Sequence, residues 1–155
     1  MHTFFEDYLE RLSKLHQGII EAIKDLPPEA LDWVPIDHPS AEMNSINVLV
    51  THLAGAERYW IGDMALGDLS GRVREKEFQV RGLTSDQLLE KINSSTNYAR
   101  TALEKLTMGQ LKEERKSPRD GQVFTVGWSL LHALEHTAVH LGHIQLTRQL
   151  WQEDH

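Results

Sequence analysis

TVGWSLLHALEHTAVHLGHIQLTRQL, Thr125–Leu150, carries His132, His136, His140 and His143 in one stretch that no proline interrupts. Thr125 suits an N-cap, and the residues from about Val126 to Trp151 read as a single long helix. Each helical residue turns by about 100°, so with His132 at zero, His143 falls at about 20°, His136 at about 40° and His140 at about 80°. Trp128, Val139, Leu146 and Leu150 lie within about 40° of the same line, which predicts that the ladder faces the interior of a bundle. One buried imidazole needs only ordinary partners. Several on one face bring more donors and acceptors than an apolar interior satisfies, and a divalent metal ion would take up the surplus. Histidines at i and i+4 reach one ion at about 2.0–2.1 Å, with further ligands supplied by another element. On this geometry His132 with His136, and His136 with His140, are equal candidates.

Upstream, INVLVTHLAGAERYWIGDMAL, Ile46 to about Leu66, reads as a long helix capped by Asn44 or Ser45 and stopped by Gly67. His52 shares its inward stripe with Val48, Leu49, Ala56 and Tyr59, so it is the best donor from outside the ladder. Gly55 and Ala56, one turn on, are small and predict room for an ion with a bound water or substrate. His16 sits at the edge of the core face of the first helix and reads as a satisfied core residue. Asp63 lies about 16 Å along the helix from His52, too far for the same ion. Three histidines leave coordination positions open, as catalytic zinc sites do and structural ones do not.

Two further helices complete the pattern. Apolar residues recur at threes and fours from Phe4 to Leu26, where Pro27 and Pro28 intervene, and again after Thr84 or Ser85, with Leu88, Leu89, Ile92, Ala99, Leu103 and Leu106 inward. Asp32–Ser45 reads as a connector, Asp68–Leu83 as a charged loop over one end of the bundle, and Gly109–Gln122 as a solvated loop. No strand is expected. Four helices of about twenty residues predict an all-α four-helix bundle, in one domain spanning residues 1–155.

Composition narrows the function. The chain has 155 residues, 40% hydrophobic and 25% charged, as an ordinary globular protein does. Its net charge of −7 opposes phosphate backbones, so nucleic acid is not an expected partner. No stretch approaches the roughly 20 apolar residues of a membrane span, and MHTFFEDYLERLSKL has no leader pattern, so a cytoplasmic protein is expected. With no cysteine, a transition-metal site must use histidine and carboxylate. His132-Ala133-Leu134-Glu135-His136 spells H-x-x-E-H, the inverted zinc-peptidase motif, but only Thr137–His155 remains to supply its downstream ligand.

The strings NVLVTHLAGAERYW, Asn47–Trp60, and Thr125–Leu150 resemble the DinB-like superfamily of metal-binding four-helix bundles, whose pattern is one histidine on helix two and H-x-x-x-H-x-G-Q on helix four. His136, His140 and Gly142 match, with His143 where glutamine is commoner. The resemblance implies His52, His136 and His140 as the ligands, with His132 and His143 as core or supporting residues. It also implies an enzyme related to the thiol-dependent S-transferases and isomerases that use mycothiol or bacillithiol. The expectation is therefore a metal-dependent thiol transferase acting on a small-molecule substrate, with zinc, or else nickel or iron, and a low-molecular-weight thiol as cofactor. The alternatives are a hydrolase using a metal-bound water, with Glu57 or Asp63 as base, and a non-enzymatic metal-binding or dimerisation module. Relatives commonly form homodimers, and Trp60 and Trp151 are candidate exposed aromatics for such pairing. Because ligand imidazoles must be neutral, metal affinity is expected to fall as pH drops through about 6.5.

Overall fold

In the computed structural model, which describes residues 1–38 and 40–155, the expected four helices are present and form a bundle. They are α1 (Thr3–Ile23), α3 (Ile46–Glu57), α5 (Ser85–Lys105) and α6 (Val126–Asp154), with short helices α2 (Pro28–Asp32) and α4 (Arg74–Glu77) in the connections. The caps follow the sequence. Ser45 Oγ accepts the Val48 amide, Thr84 and Gln87 form a capping box, and Thr125 Oγ1 accepts the Trp128 amide. α1 ends short of Leu26, and the two prolines open α2, where a missing N–H costs nothing.

Two elements depart from expectation. The second bundle helix is not α-helical throughout, because after Glu57 it continues as nine residues of π-helix, Arg58–Leu66, before Gly67 ends it in the left-handed conformation at φ 74°. The expected solvated loop after α5 holds a 3₁₀ turn (Met108–Lys112) and an antiparallel hairpin of β1 (Glu114–Lys116) and β2 (Val123–Thr125). Strands of three residues are too short for alternation to show, so the charges dominated the reading.

The principal pairings set α1 and α3 each against both α5 and α6, so α1 lies diagonally across from α3, and α5 from α6. Two apolar clusters fill the interior. One centres on Phe5, Leu12, Ile61, Met64 and Leu103, and the other on Ile19, Leu31, Ile46, Leu53, Leu88 and Ile92. Between Leu12 and Ile19, His16 belongs to a polar layer where all four bundle helices meet at the Glu57 carboxylate. His16 Nε2 lies 2.8 Å from it, Thr137 Oγ1 donates at 2.6 Å, and Ser95 Oγ donates from α5. His16 Nδ1 meets Thr96 Oγ1 at 2.6 Å. His16 is thus the satisfied core histidine that was expected.

The last helix corrects the predicted orientation. Its buried side is Val126, Ser129, Leu130, Ala133, Thr137, Ile144 and Thr147, while Trp128, Val139 and Leu146 are 43%, 52% and 50% exposed. The ladder therefore runs along the rim of the interface between α6 and α3, not into the bundle. α6 is apolar on two sides, and azimuth alone cannot say which side the other helices cover. Among the described residues, no helix is long and apolar enough to cross a membrane.

Candidate metal centre

α3 and α6 pack side by side, and His52, near the middle of α3, meets His136 and His140, one turn apart on α6. Nε2 of His52 and Nε2 of His140 each lie 3.1 Å from Nε2 of His136, and one ligand atom from each ring falls within 4.8 Å of the others. His52 is buried, and the other two are partly exposed at the rim. Thr137 and His136 are adjacent, so α6 turns one side chain into the polar layer and the next into this cluster.

The protons in this cluster do not balance. His52 Nδ1 faces the Glu77 carboxylate at 2.9 Å, which can only accept, so Nδ1 carries the proton and Nε2 presents a lone pair. A proton on His136 Nε2 could bridge one of its two neighbours but not both, and His136 Nδ1 is buried with no partner among the described residues. A cation receiving three lone pairs resolves the arrangement, so the donor set fits a divalent metal. Burial pushes the His136 and His140 imidazoles down to about 3 and about 4, helped by the imidazoles beside each. Both are therefore neutral well below neutral pH, as ligation requires. The part of the pH response that these two rings set moves below the value of about 6.5 expected of ordinary histidines.

Behind His52 stands a support absent from the sequence expectations. Arg72 clasps Glu77 with two hydrogen bonds of 2.7 Å, from Nε to Oε2 and from a terminal nitrogen to Oε1. Burial works against ionisation of Glu77, but the hydrogen bonds from Arg72 and His52 outweigh it and hold the carboxyl below the usual carboxylate range. A Cβ on Gly55 would fall 2.0 Å from Glu77 Oε2. The space at Gly55, expected to admit an ion or water, is thus taken by this carboxylate, and Ala56 lies in the core. Glu77 and Arg72 come from the segment read as a loop over one end of the bundle. Their only sequence signal was an acid and a base five residues apart in a charged stretch.

The remaining candidates lie elsewhere. His132 stacks on Trp128 with 4.8 Å between ring centroids and is not in the cluster, so the peptidase pairing of His132 with His136 does not assemble. His143 Nδ1 lies 3.3 Å from His140 Nδ1 and backs that ring. Asp63 is buried and is held by Arg58 and Ser70. Glu57 is occupied in the polar layer. Neither carboxylate is placed as a base for the cluster. Trp60 is also buried, among Phe124, Trp128 and His132, so the exposed aromatic on this side is Trp128.

Comparison with known proteins agrees with this architecture. A family model described as the DinB superfamily matches residues 11–144. Among solved structures, a conserved protein from Enterococcus faecalis superposes with a TM-score of 0.71 at 17% identity, covering 94% of this chain and 95% of that one. YfiT from Bacillus subtilis, described as a probable metal-dependent hydrolase with an unusual four-helix bundle topology, gives 0.59 at 15% identity, covering 98% and 90%. A protein from Streptococcus pneumoniae gives 0.62 at 13%, covering 96% and 90%. At such identities the likeness is one of fold. Among curated proteins, none matches the chain.

Proposed function

The chain belongs to the DinB superfamily, and from that premise we propose that it binds one divalent metal ion through His52, His136 and His140 and uses it to activate a low-molecular-weight thiol for transfer to a small electrophilic substrate. The observation that carries this reading is the convergence of three imidazole Nε2 atoms with fewer protons than contacts. An ion held by three protein ligands keeps a coordination position open and lowers the pKa of a thiol or water bound there. The chain's own residues keep the imidazoles of His136 and His140 neutral and pack aromatic rings against His52 and against His132 of the ladder. Phe78 lies on His52 at 5.0 Å, and Trp60 and Trp128 lie on His132.

No free general base is needed for this reaction, because coordination itself favours the thiolate. That favours it over hydrolysis, since Glu57, Asp63 and Glu77 are all held by other partners. Hydrolysis stays the second reading, supported by the likeness to YfiT. Zinc is the proposed metal, and imidazole donors suit nickel and iron as well. A homodimer is proposed to cover the exposed stripe of Trp128, Val139, Leu146 and Leu150; Leu146→Glu should then sediment as a monomer, and a monomeric wild type would refute it.

Metal analysis of protein purified without chelator, beside His52→Ala, His136→Ala and His140→Ala, tests the site. About one equivalent in the wild type and almost none in the variants is expected. Full occupancy in all three variants sinks the ligand assignment. Conjugation of a low-molecular-weight thiol to a chromogenic electrophile then tests the reaction. Turnover unchanged after metal removal counts against it, and metal-dependent ester cleavage without thiol would favour hydrolysis.

A further inference from the structure

The segment between the π-helix and α5 supplies no ligand to the metal site proposed above, yet it delivers Glu77 and Arg72 to the back of His52. Glu77 is buried in the cleft beside α3, with Oε1 2.9 Å from His52 Nδ1 and both oxygens clasped by Arg72. Its Oε2 occupies the space that any side chain at residue 55 would fill. The other two rings are backed differently. His140 leans on the exposed His143, and His136 Nδ1 meets nothing among the described residues. His52 alone is fixed by an ionic partner that is itself fixed.

We infer that Glu77, clamped by Arg72 and admitted by Gly55, is the positioning residue of the metal centre: it locks His52 in the Nδ1–H tautomer and aims the Nε2 lone pair at the ion. The inference rests on the three-histidine reading above and extends it to a segment that contributes no ligand. The physical basis is general. A metal-bound imidazole donates its second N–H to a carboxylate or carbonyl that sets its tautomer and orientation, and losing that partner typically lowers metal affinity by about 10–100-fold. Here the carboxylate is itself held by Arg72, with a fork of two hydrogen bonds.

Gly55→Ala separates positioning from folding. Alanine is the better helix former at a helix-interior position. The nearest atoms its methyl group would meet belong to the end of the Glu77 side chain and the Arg72 guanidinium, and both side chains are flexible enough to swing away. The substitution should displace Glu77 while leaving α3 intact. The experiment measures Zn²⁺ affinity of the full chain by competition with a chromophoric chelator, for wild type, Gly55→Ala, Glu77→Ala and Glu77→Gln. It also reads the His52 tautomer of the metal-free proteins from ¹⁵N imidazole spectra.

Affinity should fall about 10–100-fold in Gly55→Ala and Glu77→Ala and less in Glu77→Gln, which keeps an acceptor for Nδ1–H. The His52 tautomer should be Nδ1–H in the wild type and mixed in the first two variants, while the melting temperature of metal-free Gly55→Ala does not fall. Zn²⁺ bound by the wild type with affinity within about twofold in both of those variants, or an unchanged His52 tautomer, overturns this assignment alone. A wild type that takes up no Zn²⁺ overturns it together with the metal reading beneath it.

Discussion

His16 and His136 are imidazoles of the same bundle, roughly level along it, and they differ in what their nitrogens meet. Both nitrogens of His16 are used, one on Thr96 and one on Glu57, and the Glu57 carboxylate also takes hydroxyls from Ser95 and Thr137. Every donor there has an acceptor, on four helices. His136 has one nitrogen with no partner among the described residues and another against two imidazole nitrogens that cannot both be bridged by protons. Four helices close around the first cluster, whereas the second lies at the rim of two. The difference teaches that a satisfied polar cluster belongs to the fold, and one with surplus lone pairs has the donor set that a divalent cation would take up.

The comparison can be broken most forcefully at its closed side. Glu57→Ala strips the acceptor from His16, Ser95 and Thr137 inside the bundle, and the metal-free protein should lose about 3–5 kcal/mol in urea unfolding. The folded fraction should still bind Zn²⁺. A loss below about 1 kcal/mol would mean that the polar layer does not hold the four helices together.

On the open side the expected pattern is the reverse. His136→Ala should change metal-free stability little, because it removes a ring whose Nδ1 was unpartnered, but it should abolish stabilisation by the metal. At a free Zn²⁺ concentration of about one hundred times Kd, the wild type should gain about 2.7 kcal/mol and the variant none, read as a thermal shift. An equal gain in both would show that the stabilising metal sits elsewhere.

Acidity sharpens the contrast in the metal-free protein. The folded chain holds His136 at about 3 and His140 at about 4, whereas in the unfolded chain both should titrate at about 6.5. Between those values the unfolded state binds protons that the folded state refuses, so metal-free stability should fall as pH drops from about 6.5 toward about 4. The stability slope over that window, measured by urea unfolding, should flatten in His136→Ala and His140→Ala. An identical slope in those variants would place the lost stability in other groups. The smallest effect belongs to a site remote from both clusters. Thr84→Ala opens the capping box of α5 and should cost about 1 kcal/mol with Zn²⁺ affinity unchanged.

Much of this architecture was legible locally. The caps Ser45, Thr84 and Thr125, the prolines after α1 and Gly67 after the π-helix are short-range signals, and each acts within a few residues of its cause. The grouping of His52 with His136 and His140 was legible only with the family resemblance, because a helical ladder offers His132 as readily as His140. The hairpin was missed because its strands are three residues long. Glu77 was missed because nothing periodic marks it: its role comes from a contact with His52 twenty-five positions away in sequence.

What the sequence by itself determined is the four bundle helices, the caps that start three of them and the line of histidines along the last one, since these follow from backbone hydrogen bonding and the 100° turn of one element. Which side of that line is covered, which two of its histidines His52 meets, and that a glycine on α3 houses a carboxylate from a distant loop were decided by tertiary packing. α6 is apolar on two sides, so only the placement of α3 against it selects the rings that converge, and only chain closure brings Glu77 to them.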